Sequence, residues 1–401
     1  MAHGVKTRRA GGCMIIWLII FFVSLLLGQL GAVSVLPGVT LYVHDIILFL
    51  ILSFYIVRHP RKWTTPVLLI PILTFVGIGA LTLLLNVYRF TWTVIGISSL
   101  YLIRFAFYSC LYFILVESAV TPAFLLWGLY GFGSAFSVLG LVQYFLYPDL
   151  RNLTYLGWDP HYYRLFSTFL DPNFAGIVIV LTLFLGFYLM VKEKRMWLTL
   201  LQIVSGVALF LTYSRSSYLA FAMGVILWII WKKKWLAGFI IALVIGFLIS
   251  LPTPGGKTLR LTRTDSTVAR LGNWQEAFGL ISKSPLIGYG FNTLPRVQNA
   301  KPTLTSQPSH AASGIDSSIL FLLATTGLIG FISFGWIVWR VSAFFLRNFG
   351  QSDMSLLYWC IVLAVGIHSL FNNSLFYAWV MIWLWIFIAS SEKLTIPEKR
   401  K

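Results

Sequence analysis

Acidic side chains are rare in this chain: twelve Asp and Glu among 401 residues, against thirty Lys and Arg. The acids are scattered, with no paired carboxylate motif and no HExxH, which argues against a carboxylate metal cage; no metal is assigned. The three cysteines, Cys13, Cys110 and Cys360, stand far apart in apolar stretches. Without a CxxC or a Cys/His cluster they make neither a zinc site nor a disulfide framework, and they read as small packing residues. No Walker loop is present, and no cofactor is implied. Charge of either sign makes up only 10% of the chain, where a soluble domain carries roughly a quarter. That scarcity excludes an ordinary water-soluble core.

Apolar residues fill the space: 58% of the chain is hydrophobic and 17% aromatic. A helix needs about 20 apolar residues to cross a bilayer, because its backbone groups must bond within the helix. Twelve such segments can be drawn, at about 14–35, 40–57, 66–86, 92–116, 122–147, 173–191, 196–213, 217–231, 235–251, 317–339, 354–371 and 375–391. The first is too long for the apolar core of a signal peptide and reads as a first span. The expected fold is all-α: a polytopic integral membrane helix bundle of about twelve spans, with 1–401 forming a single transmembrane domain.

Charge placement tests that count. With the amino terminus inside, one side collects Lys6, Arg8 and Arg9, then Arg58, Arg61 and Lys62, then Lys192, Lys194 and Arg195. It also collects Lys232 to Lys234, Arg340, Arg347, Lys393 and the Lys399–Lys401 tail. The short basic turns share one side, as the positive-inside rule requires, so both termini are expected to be cytoplasmic. The net charge of +18 is therefore mostly topological. No basic-aromatic module accompanies it, so no nucleic-acid partner is expected. Membrane lipids are. Tryptophans near segment ends, such as Trp63, Trp92, Trp158, Trp197 and Trp235, form an aromatic belt.

The other face carries a loop at 148–172, the turn Ser214-Arg215-Ser216, and a long loop at 252–316 between spans nine and ten. The long loop opens with the helix-stopping Pro252-Thr253-Pro254-Gly255-Gly256. After Asp265-Ser266, at N-cap positions, Val268, Leu271, Trp274, Phe278 and Ile281 recur at helical spacing. The stretch is too polar to span and reads as an amphipathic helix at the outer interface, with Arg263 and Arg270 beside the apolar stripe. Ser284 to Asn292 follows as a glycine-containing turn, then a polar stretch from Lys301 to Ser313. The loop is either a solvated connector or a lid over a lipid-linked, anionic substrate.

Further charges lie near this face. Arg215 must pair, face an aqueous cavity, or snorkel to headgroups. Arg164 and Asp171-Pro172-Asn173 precede the sixth span, with a helix-capping role and a site role both open. Arg104, inside the fourth span, calls for a partner in the bundle, His44 and Asp45 suit a cap, and His161 suits the interface.

In order, several of these pieces resemble the O-antigen ligase and polymerase superfamily of bacterial membrane glycosyltransferases. Arg164-Leu165-Phe166-Ser167-Thr168-Phe169-Leu170-Asp171-Pro172-Asn173 is similar to the family's Arg…Gly-Thr-Phe…Pro-Asn helix start. Leu211-Thr212-Tyr213-Ser214-Arg215 resembles its LTxSR turn. Arg270 to Ala277, then Pro285 and Gly288-Tyr289-Gly290, resembles its RxxxW…P…GxG loop. Asp316 to Gly330 resembles the HNxYLxxLxExGLxG helix that follows.

The resemblance implies a metal-independent glycosyltransferase in the bacterial cytoplasmic (inner) membrane, with its active site extracytoplasmic. Its donor would be a polyprenyl (undecaprenyl) pyrophosphate-linked oligosaccharide and its acceptor a glycan or glycolipid. Arg215 and Arg270 would hold the pyrophosphate, with Arg164 and Arg263 as further donors and Trp274 beside them. Where many ligases carry a catalytic His, this chain has Asp316, either a base or an N-cap; the change leans towards a polymerase. His310, six residues earlier, could supply the imidazole. His368, in His368-Ser369-Leu370-Phe371-Asn372-Asn373-Ser374, either lines the cavity or bonds between helices. The alternative is a polysaccharide flippase or other membrane transporter, for which midplane polar residues and repeat symmetry are expected. Neither is visible here.

Overall fold

A computed structural model describes residues 2–36, 39–58, 66–235, 265–294, 314–346 and 352–395. The expected ninth span over most of its length, the Pro252–Gly256 turn, Arg263, the stretch 301–313 and His310 lie outside the described residues. In chain order the described helices are α1 (Ala2–Leu26), α2 (Val43–Arg58), α3 (Leu69–Leu85), α4 (Trp92–Glu117), α5 (Pro122–Leu146) and α6 (Pro172–Glu193). There follow α7 (Met196–Leu211), α8 (Arg215–Lys232), α9 (Asp265–Lys283), α10 (Ser318–Leu346), α11 (Asp353–Phe371) and α12 (Ala378–Thr395). Five of these, α4, α5, α6, α10 and α11, are long and apolar enough to cross a membrane, and Gly12–Leu26, Leu69–Leu85 and Met196–Leu211 are shorter apolar helices. The fold is thus a helical membrane bundle; the figure of twelve spans rests on the sequence pattern alone.

Local chemistry starts these helices. Pro122 and Pro172 occupy first-turn positions, where a missing N–H costs nothing. Thr121, Asp171 and Ser352 cap α5, α6 and α11 by accepting backbone N–H bonds. Among the described residues the purely α expectation fails at one hairpin. The first span stops at Leu26 instead of running to 35, and β1 (Ala32–Leu36) pairs with β2 (Val39–Tyr42) as an antiparallel hairpin. Gly28 has φ +55°, and a Cβ there would lie 2.3 Å from the Thr168 carbonyl oxygen, so the chain turns where only glycine fits. Val33, Val35, Val39 and Thr40, all β-branched, then favour extended pairing.

Helix α6 is the hub, with 72% of its apolar window buried; α5, α7, α8 and α11 pack around it, while α12 lies against α4 and α5 and α10 against α3. Charged ends meet at one pole. Lys232 reaches Asp353 at 2.6 Å and Lys192 reaches it at 3.7 Å. Lys393 Nζ donates to the carbonyls of Leu115, Ser118 and Val120 at 3.0, 2.6 and 2.7 Å, closing the end of α4. The starts of α6, α8 and α10 and the end of α11 gather at the opposite pole.

One break shapes that second pole. Gly327 interrupts α10 with φ 63° and ψ −167°, a conformation nearly restricted to glycine. The backbone groups so released are taken up by the turn after α9. Tyr289 and Gly290 donate to the carbonyls of Ala324 and Thr325 at 3.0 and 2.8 Å. Leu328 and Ile329 donate to those of Pro285 and Leu286 at 2.8 and 3.3 Å. The expected stripe of α9 divides: Val268, Leu271 and Phe278 are exposed, whereas Ala277 is fully buried and Trp274 and Ile281 are packed against the core. Only the exposed part suits a bilayer interface.

A Cβ on residue 327 would sit 2.2 Å from the Leu286 carbonyl. Gly327→Ala should therefore lower the thermal unfolding midpoint in detergent and the yield of folded protein, with backbone strain alone costing roughly 1–3 kcal/mol. Gly366→Ala in α11, where nothing lies within 4 Å, should leave both unchanged.

Candidate functional site

The turn before α8 is built by Arg164, whose side chain is only 6% exposed. Its Nε donates to the Thr212 carbonyl at 2.9 Å and Nη2 to that of Tyr213 at 3.3 Å, while Leu165 N–H donates to Leu211 at 2.8 Å. Tyr213 takes φ +48° there. Arg164 is thereby committed to the backbone it braces, and its product is the placement of Arg215 as the first residue of α8. Helix amides at that position favour an anion beside the guanidinium.

Helix α9 supplies the second arginine. The Arg270 guanidinium lies 5.9 Å from the Phe371 ring centre, and Trp274 stacks on the same ring at 6.0 Å. Asn273, one turn-neighbour away, bridges to the segment before α10. Its Nδ2 donates to the Gly314 carbonyl at 3.0 Å, and its Oδ1 accepts from Asp316 N–H at 3.1 Å. Asp316 and Arg270 come close enough to perturb one another. Burial pushes the Asp316 carboxyl up to about 6, against the pull of Arg270, with Asp171 and Asp159 raising it further. Burial also lowers Arg270, which Asp316 opposes and Arg215 reinforces. Asp171 is likewise held above the ordinary carboxylate range by burial, although it caps α6. Arg270 thus feels Asp316, Arg215 and Asp171, which come from three other segments, and Asp316 feels Arg270, Asp171 and Asp159.

The cap of α10 is Ser317, whose Oγ accepts from Leu320 N–H at 3.4 Å, so Asp316 stands outside the helix. His368 is fully buried and bonds between helices. Its Nε2 lies 3.2 Å from Ser217 Oγ and its Nδ1 2.6 Å from Ser374 Oγ. Around it, Asn372 Nδ2 donates to Ser216 Oγ at 2.8 Å, and Ser214 Oγ to Asn173 Oδ1 at 2.9 Å. Ser317 and Ser318 bond the carbonyls of Ser369 and Asn372 at 3.1 and 3.3 Å. This polar knot ties α6, α8, α10 and α11 together behind the arginines. Sequence reading missed Asn273, Asn372 and the serines; the Asn273-Trp274 pair inside the RxxxW motif was the available signal.

Arg104 has the partner its position demanded, Asp45 at 3.1 Å. Asp45 also accepts from Tyr42 N–H at 3.0 Å, as a helix-start cap, and from the Tyr108 hydroxyl. His161 Nδ1 is 3.5 Å from Arg164 Nη1. Arg263 and His310, outside the described residues, are not located. Among the described residues, no three His, Cys, Asp or Glu side chains converge as metal ligands.

Residues 200–335 match a family model described as O-antigen ligase. The match runs from within α7 to within α10, so it contains Arg215, Arg270, Trp274 and Asp316, while Arg164 and His368 lie outside it. No curated protein matches the chain.

Arg164→Lys keeps the charge but loses the fork that serves two carbonyls. The thermal midpoint should drop, since each orphaned buried carbonyl costs about 1–3 kcal/mol. Wild-type stability with a raised substrate KM would instead make Arg164 a ligand.

Proposed function

Taking the chain as a member of the O-antigen ligase and polymerase superfamily, we propose that it transfers a glycan from a polyprenyl (undecaprenyl) pyrophosphate carrier to a glycan or glycolipid acceptor. The observation that carries this reading is that Arg215 and Asp316, from two other segments, both act on the half-buried Arg270 beside the Phe371 ring. Two mutually repelling guanidiniums beside one high-pKa carboxyl suit a ligand with more than one negative charge and a proton to be moved. In the reaction, an acceptor hydroxyl attacks the anomeric carbon of the donor sugar. The bond from that carbon to phosphate breaks, and the polyprenyl pyrophosphate leaves with the electron pair. Arg215 and Arg270 bind the departing oxygens, offsetting the charge that grows there without a divalent cation. The Asp316 carboxylate takes the hydroxyl proton. Trp274, beside Arg270, supplies an apolar wall.

The extracytoplasmic face is supported by polarity of ends. Lys192, Lys232 and Lys393 meet at the pole opposite Arg215 and Asp316. By the positive-inside rule the lysine pole is cytoplasmic. The absence of a histidine at 316 favours a polymerase over a ligase.

Purified protein in liposomes, supplied with a polyprenyl pyrophosphate-linked oligosaccharide, should yield longer glycans on a gel and by mass spectrometry. Product appearing only with a separate acceptor would make it a ligase, and lipid crossing the bilayer without transfer would make it a transporter. Arg215→Ala and Arg270→Ala should each cut kcat by roughly 100- to 1,000-fold at normal expression, the usual loss for one transition-state donor; near-normal rates would remove them from the mechanism. A base must be ionised, and Asp316 with its pKa near 6 becomes protonated below that pH. The rate should accordingly fall about tenfold per pH unit below the pKa, and Asp316→Asn should be slow with that limb abolished.

A further inference from the structure

Among the described residues, Asp316 is held through its backbone. Its N–H donates to Asn273 Oδ1 at 3.1 Å, and Asn273 Nδ2 donates to the Gly314 carbonyl at 3.0 Å. Ile315, between those two points, is 2% exposed and enters the core. Ser317, directly after, donates from its hydroxyl to the Ser369 carbonyl of α11 at 3.1 Å. The Asp316 carboxyl itself accepts no hydrogen bond among the described residues. Its place is therefore set by the backbone that Asn273 grips.

An asparagine suits this grip. Its amide carries an acceptor oxygen and a donor nitrogen on one planar group, the two functions a neighbouring strand would offer to an N–H and a carbonyl. Aspartate offers acceptors only, and alanine neither. Asn273 also stands three positions after Arg270 on α9. Residues at that spacing are neighbours on a helix surface, so one turn carries both the guanidinium and the group that fixes the carboxyl.

Opposite charges this close tend to join, and here they do not. Arg270 and Asp316 act on one another, yet they form no ion pair among the described residues, and the guanidinium lies instead by the Phe371 ring at 5.9 Å. An ion pair would cancel the charge each has to offer and weaken the carboxyl's hold on a proton.

We propose that Asn273 is a positioning residue that keeps Asp316 out of an ion pair with Arg270, so that carboxyl and guanidinium both stay open to the ligand. This deepens the transferase reading and rests on it for the catalytic consequence. Arg270 serves the departing phosphate, Asp316 serves the acceptor hydroxyl, and Asn273 keeps the two roles apart.

The test reads the protonation of Asp316 without turnover, in the detergent-purified full chain. Dicyclohexylcarbodiimide modifies protonated carboxyls, and mass spectrometry of the labelled peptide gives the extent at each pH. The groups acting on Asp316 are Arg270 of α9, Asp171 at the start of α6 and Asp159 in the loop before it. The wild-type midpoint should lie at about pH 6. In Asn273→Ala the carboxyl is released towards the guanidinium, and the midpoint should fall by about 1–3 pH units, the usual effect of an adjacent opposite charge. Asn273→Asp keeps an acceptor for the Asp316 N–H and adds a negative charge, so its midpoint should rise. An asparagine that only stabilised the fold would lower the thermal midpoint in both variants and move neither labelling curve. In liposomes Asn273→Ala should cut kcat about 100-fold, the usual cost of misplacing a reacting group by about 1 Å. Its acid limb should move down in pH with the labelling curve. Wild-type labelling in both variants overturns the proposal, as does a shifted curve at wild-type kcat. Opposite shifts in a protein that transfers nothing would uphold the spacing of Asp316 and reject the transferase reading.

Discussion

A backbone amide inside hydrocarbon must find its partner within the protein, and the broken helix α10 is where this demand organises the rest. Gly327 frees two carbonyls and two amides within a helix long and apolar enough to span. The turn 285–290 bonds all four, so the segment after α9 is fastened into a spanning helix by backbone ladders. Asn86 Nδ2 adds a bond to the Gly288 carbonyl at 3.3 Å from the end of α3. Helix α9, packed on the bundle through Ala277 and Trp274, is thereby also fastened to α10. Arg270 rides on that helix, and Asp316 stands just before α10.

From that clamp follows the electrostatics. Asn273 bonds both sides of the Asp316 segment, and the knot around His368 holds α8, α10 and α11 in register. That frame holds Arg270 where it feels the repulsion of Arg215. The same enclosure lifts the Asp316 carboxyl towards neutrality. A group poised near its own pKa transfers protons with the least penalty in either direction. Arginine suits the phosphate role because it stays charged where a lysine, desolvated, would not.

The bundle divides its polar work between poles. Lysines at one pole close helix ends and pair with Asp353, a structural use of charge. At the other pole Arg164 braces a turn and Arg215 acts on Arg270, while Arg104 pairs with Asp45 within the bundle. Arg164 shows how closely these uses lie. It sits in the same motif as Asp171, yet two of its hydrogen bonds run to the carbonyls of Thr212 and Tyr213, in the turn that leads into Arg215.

Much of this was legible in the residues themselves. Apolar runs of about 20 residues marked the spanning helices, since hydrocarbon thickness leaves few other solutions. Pro122, Pro172 and Asp171 marked helix starts, and the order of motifs carrying Arg215, Arg270 and Asp316 marked the candidate site. The hairpin at 32–42 was hidden because its valines are as apolar as a span; glycine contacts with Thr168, distant in sequence, decided it. The division of the α9 stripe, the bonding of His368 and the capping of α10 by Ser317 were equally out of reach. Sequence by itself determined that the chain is a helical membrane bundle and which side chains carry charge, because both follow from composition over one helix length. Tertiary structure alone decided which charges meet, because burial and hydrogen-bond partners arise between segments that the chain keeps far apart.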